Sequence, residues 1–161
     1  MEDKAIRTAT PQLRVKVRYE WWRKGKLLER WEGGDLVGSF GRDWLCAKVA
    51  GALAIGTPAG GGKGTLIKYS AIGTGAAAPT TGQSALIAPI YRGTFPYSKD
   101  SAVGSASLDR SFSIGSTYAM RESGLFVQKV GGTMYSRGTY AVKNVASGDT
   151  ITVRYTLGFA I

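Results

Sequence analysis

The chain has 161 residues, 43% of them hydrophobic and 20% charged, which is the composition of a foldable globular protein of one domain rather than a disordered one. Its single cysteine, Cys46, rules out an intrachain disulfide. It has no histidine, and so lacks the commonest general base and metal ligand, which argues against most hydrolase and metalloenzyme chemistry. The formal net charge of +10 draws the protein towards polyanions: nucleic acid, anionic lipid or an acidic protein surface.

Glycine occupies 23 positions, and glycine favours turns over helices. Residues 1–11 are polar and patternless, and are expected to form an extended N-terminal arm ahead of a single domain over 12–161. The opening residues hold no apolar signal-peptide core, and no run of apolar residues is long enough to cross a membrane as a helix. Neither secretion by a leader nor a membrane partner is therefore expected.

The first patterned segment is QLRVKVRYEWW. Leu13, Val15, Val17, Tyr19 and Trp21 alternate with Arg14, Lys16, Arg18 and Glu20, the period of a half-buried strand. RKGK reads as a turn about Gly25, and LLERWE as the returning strand of a hairpin. Arg14, Lys16 and Arg18 then form a cationic row on one strand face, beside Trp22. Together with Arg7, Arg23 and Trp31 they are the candidate partner contacts, although each Trp also suits core packing.

SFGRDWLCAKVAGALA carries the helical stripe Phe40, Trp44, Ala47 with Ser39 as N-cap, so one short helix is expected, with Cys46 as a small buried residue. GTPAGGGKGT looks superficially like a phosphate loop. Thr57 stands where the motif needs its first glycine and Gly64 where it needs Ser or Thr, so this is a plain loop and no cofactor is expected. TLIKYSAIGTG reads as a strand ending in a glycine turn. AAAPTTGQSALIAPI reads as a loop, with one helical turn expected at GQSALI. YRGTF, ASLDRSFSI, TYAMRESGLFVQ, TMYSRGTYAV and TITVRYTLGF follow as strands, the last preceded by the turn residues ASGDT. Short strands separated by Gly, Ser and Asp turns predict a mainly β fold, an antiparallel β-sandwich of jelly-roll type.

Among the carboxylates, Glu122 stands out because apolar residues surround it in MRESGLF. With Arg121 adjacent, it is expected to form a structural ion pair or to cap a turn rather than to act as an acid or base, and the chain is not expected to be an enzyme.

One combination is more specific. Ile72 to Gly75 (Ile-Gly-Thr-Gly), Pro79 to Thr81, Ala85-Leu86 and Arg92 are followed by Arg121, Glu122, Gly124, Leu125 and Phe126, and then by SGDTITVRYTLGF. In order and spacing this resembles structural proteins of tailed bacterial viruses, over about residues 66–161. The loop departs from the pattern at Gln83 and Ser84, where an Asp is usual. The resemblance implies a non-enzymatic virion component, made in the host cytoplasm, that forms a homo-oligomer such as a trimer and binds the major capsid protein or tail proteins. A capsid decoration or cement protein is the expectation, ahead of a tail-collar or tail-fibre module. A basic nucleic-acid-binding β module and a glycan-binding module are the competing readings.

Overall fold

The structure is a computed structural model and describes residues 12–38, 67–96, 105–131 and 134–160. The expected arm over 1–11 with Arg7, the expected helix with Ser39 and Cys46, and the glycine-rich loop of 56–65 lie outside the described residues. The described part is built of eight strands: β1 (Gln12–Arg23), β2 (Lys26–Val37), β3 (Tyr69–Gly73), β4 (Pro89–Thr94), β5 (Ser105–Ser113), β6 (Tyr118–Phe126), β7 (Met134–Val145) and β8 (Asp149–Ala160).

The period-two segments become strands for the anticipated reason. Val15, Val17 and Tyr19 of β1 and Ile151, Val153 and Tyr155 of β8 are buried, while Arg14 and Lys16 between them are exposed. These six pack with Ile72, Phe112, Met120, Leu125, Tyr135 and Val145 in one core to which six strands contribute. The RKGK turn is tight. Lys24 and Gly25 both have positive φ (48° and 75°), the backbone of a two-residue I′ hairpin, whose twist matches its strands. Gly148, at φ 87°, makes the corresponding bend before β8.

All pairings are antiparallel, as expected, but the ladders do not form the two separate sheets of a sandwich or jelly roll. They join the eight strands into one sheet, in the order β4-β3-β6-β7-β2-β1-β8-β5. The cause is the length of β2. It pairs with β1 as far as Asp35, and its last residues, Leu36 and Val37, then pair with Arg137 and Ser136 of β7. One strand thus belongs to both halves, and the sheet curls around the core until it nearly closes. The free edges of β4 and β5 meet through side chains. Arg110 donates from Nη1 to the Thr94 carbonyl (3.0 Å), and Tyr91 Oη accepts the Gly115 N–H (2.8 Å) while its ring faces Phe112 at 6.3 Å.

The helical turn expected at GQSALI does not form. The chain turns at Thr80–Gln83, where the Gln83 N–H reaches the Thr80 carbonyl, and then runs on without helix. The N–H groups of Ile87 and Ala88 that close this loop are bonded to a side chain of β6 instead of to carbonyls one turn back.

Candidate functional site

The outer face of β1 carries Arg14, Lys16, Arg18, Glu20 and Trp22 in alternation, as the period of two requires. Arg18 pairs with Glu32 of β2 (3.2 Å), and Glu20 with Arg30 (2.8 Å). On the other side, the register sets Arg18 opposite Arg154 of β8, which is held in turn by Asp109 of β5. Two like charges directly across a ladder repel, and the flanking carboxylates offset this. Lys16 lies between Gly34 and Thr156, and Arg14 lies opposite Gly158. Neither has an ion-pair partner among the described residues. The remainder of this face is hydroxyl-rich, with Ser111 bonded to Thr152 (2.8 Å) and Ser107 to Thr156 (3.3 Å).

Of the predicted contact residues, Arg14, Lys16, Arg18 and Trp22 therefore share one face. Trp22 lines a shallow cleft of about 320 Å³ with Lys24, Gly25, Gly148, Thr150 and Thr152. Arg23 and Trp31 do not join them. The Arg23 guanidinium grips Asp149 with two bonds (2.7 and 2.9 Å). Trp31 packs against the core, stacked on Tyr19 at 5.2 Å and tilted against Tyr140 at 5.5 Å, with Lys143 over its ring. Its strand is period-two like β1, but the residue falls on the inward phase.

Glu122 is structural, though not with the predicted partner. Its carboxylate is fully buried and binds Arg137 Nε of β7 (2.8 Å), not Arg121. Successive residues of a strand face opposite sides, so Arg121 is badly placed to share the side on which Glu122 is buried. The same carboxylate accepts the backbone N–H groups of Gly75 (3.0 Å), Ile87 (3.1 Å) and Ala88 (2.8 Å), so it does cap a turn. Burial alone would raise this carboxyl, but the bonds from Ala88, Arg137, Ile87 and Gly75 outweigh it and hold it below the usual range. Arg137, itself buried, also donates to Gln83 Oε1 (3.1 Å), which in turn accepts the Thr80 N–H. A neutral amide thus does the accepting at Gln83, where the pattern usually has an acid nearby.

Glycine is required around this clamp. A Cβ on Gly73 would collide with the Ala88 carbonyl, and one on Gly75 would lie 2.6 Å from Glu122 Oε1. Arg92 makes a separate contact at the end of β6. Its guanidinium lies 3.6 Å from the centre of the Phe126 ring and donates to the carbonyls of Gln128, Lys129 and Gly131. The Ile-Gly-Thr-Gly turn and the Pro-Thr loop therefore meet Glu122 at the clamp, and Arg92 engages the same strand at its other end.

Two further carboxylates matter. Asp149, at the start of β8, is buried and accepts from Arg23, Trp21 Nε1 (2.8 Å) and the Ala146 N–H (2.9 Å). The Arg23 bonds, chiefly, hold it well below its ordinary value against the opposing effect of burial. Asp35 lies where β2 leaves β1 for β7. Ser136 Oγ donates to its Oδ2 (3.0 Å), but its Oδ1 is buried without a protein partner. Burial pushes it up to about 7 despite Ser136 and the attraction of Arg137. Asp35, Arg137 and Asp149 were not singled out in the sequence. Each looks like an ordinary exposed charge in a polar stretch, and only long-range register buries Arg137, Asp149 and the Oδ1 of Asp35.

Among the described residues, no group of three or more Cys, Asp or Glu is placed to hold a metal ion, and no helix is long and apolar enough to cross a membrane. No protein family, no curated protein and no solved structure matches the chain, so its function has to be argued from this geometry.

Proposed function

We propose that the chain is a non-enzymatic structural protein of a tailed-phage virion, which forms a homo-oligomer and binds other virion proteins. One observation carries this reading. The Ile-Gly-Thr-Gly turn and the Pro-Thr loop of the phage-type pattern are tied to the Glu122–Arg137 clamp, which suits a rigid β scaffold whose best-organised carboxylate is spent on holding a loop. The contact surface is the outer face of β1 and β8, where Arg14 and Lys16 stand without anions beside Arg18 and Arg154. Such a strip suits carboxylates on a shell protein and favours capsid decoration over a tail-collar or tail-fibre place. No aromatic ring interrupts Arg14–Arg18, whereas single-stranded nucleic acid is usually held by stacking between its phosphate contacts. That sets the nucleic-acid reading second.

Mass spectrometry of gradient-purified particles tests the assignment. Hundreds of copies per particle place the protein in the shell and a handful in the tail; its absence from particles ends the reading. Arg14→Glu/Lys16→Glu is expected to weaken rebinding to particles at least about tenfold, through lost charge pairs and new repulsion. Lys68→Glu/Lys129→Glu, an equal change of charge elsewhere on the surface, is expected to have little effect. Equal losses from both variants would mean that net charge, not this face, does the binding. Tighter binding to an oligo-dT strand than to particles would favour the nucleic-acid reading.

A further inference from the structure

The two halves of the curled sheet are joined by a short seam. Among the described residues, Leu36↔Arg137 and Val37↔Ser136 pair across it, with one more backbone bond from the Gly38 N–H to the Tyr135 carbonyl (3.1 Å). Before Leu36, β2 is laddered to β1 and meets β7 through side chains: Lys143 with Glu29, and Trp31 with Tyr140. Asp35 is the residue at this divide. Its carboxyl is bonded on one side to Ser136, a residue of the seam itself, and pressed on the other against Gly138, where a Cβ would collide with Oδ1.

The surroundings of Asp35 hold too little positive charge for its ionised form. Tyr19 from β1, Tyr155 from β8 and Tyr140 from β7 face it, and their hydroxyls are committed elsewhere: Tyr19 to Ser123, Tyr155 to Ser70 and the Gly124 carbonyl, Tyr140 to the Glu122 carbonyl. Among the described residues, the cation close enough to matter is Arg137. Its Nε is taken by Glu122 of β6 and its Nη1 by Gln83. Its Nη2 is buried without a protein partner, as is Asp35 Oδ1. One guanidinium thus serves two buried carboxyls, and Glu122 has the bonds.

We propose that Asp35 is a pH-sensitive catch on the β2–β7 seam: protonated, its carboxyl lets the two strands close, and ionised, it loosens them. An ionised carboxylate buried with one bonded oxygen is stabilised by letting water in, and the cheapest route is to open a two-pair ladder. The shift of its titration to about 7 agrees with this and sets the working range. The sign follows from linkage. A carboxyl raised in the closed form is protonated there at pH values where the open form has already lost its proton. Closure is therefore firmest at acid pH, weakens as pH rises from about 4 towards 7, and levels off above. The catch is independent of the virion assignment.

Amide hydrogen exchange of the whole protein, corrected for intrinsic rates, tests it. Protection of Leu36, Gly38 and Arg137 is expected to fall at least about tenfold between pH 5 and pH 7, while that of Val153 in the middle of β8 changes less. Asp35→Asn, an isosteric neutral side chain, is expected to give seam protection that does not change with pH. Ser136→Ala removes the donor that favours the ionised form and is expected to move the wild-type profile to higher pH. Because the wild-type profile needs no variant, the test survives a misfolded mutant. Seam protection that does not change with pH in the wild type, or a profile in Asp35→Asn that matches wild type, would overturn the proposal.

Discussion

Glu122→Ala is expected to destabilise the fold by about 3–5 kcal/mol, read as a drop in the urea midpoint at pH 7. The size comes from what is left behind rather than from what is removed. Arg137 would remain buried without its bonded carboxylate, and the N–H groups of Gly75, Ile87 and Ala88 would lose their acceptor inside the protein. Glu122→Gln keeps one acceptor oxygen but puts an amide NH2 against donors, and should recover only part of the loss. The joint replacement Glu122→Leu/Arg137→Met should be milder than Glu122→Ala, because Arg137 is no longer left without its bonded partner, but it should not be neutral, since Asp35 loses the attraction of Arg137 and three N–H groups lose their acceptor. A Glu122→Ala cost below about 1 kcal/mol would show that the clamp does not hold the loop of residues 74–88.

The second large effect is expected at Asp149. Asp149→Ala takes away the acceptor of Trp21 Nε1 and of the Ala146 N–H, at roughly 1 kcal/mol each, for a loss of about 2 kcal/mol at pH 7. The arm from Arg23 adds little beyond this, because that side chain is 46% exposed and solvent screens it. Here the pH dependence runs opposite to that of Asp35. The Asp149 carboxyl is depressed in the folded protein, so its contribution is complete above its ordinary value of 3.8 and is lost as pH falls below it. The stability gap between wild type and Asp149→Ala should be flat from pH 5 to 8 and shrink below about pH 4. A gap unchanged at pH 3 would mean that the ionised carboxylate is not what holds the turn.

The legible parts of the fold were those governed by nearest-neighbour geometry. Alternation in β1 and β8 announced two strands and their inner faces, and Lys24-Gly25 and Gly148 announced the turns. Part of the candidate face was legible for the same reason. Arg14, Lys16, Arg18 and Trp22 are two residues apart or multiples of two, so they had to share a side. Trp31 was not, because whether the exposed or the buried phase of β2 faces the core depends on its register with β1. Glu122 could be recognised as structural from its apolar neighbours, but its partner could not. Arg121 is next in sequence, whereas Arg137 is next in space, carried there by the β6–β7 ladder that sets Gly124 opposite it.

By itself, then, the sequence determined an antiparallel β protein of basic charge with a cationic strand face, because these follow from composition and from a repeat of two residues. Only the tertiary structure decided that the strands make one nearly closed sheet, that Glu122 is bonded to Arg137, and that one carboxyl oxygen of Asp35 is buried beside the β2–β7 seam. These depend on which strands become neighbours and in what register. That choice is made in the core that buries Tyr19, Tyr135 and Tyr155, where the Tyr19 hydroxyl bonds Ser123, 104 positions away in the chain.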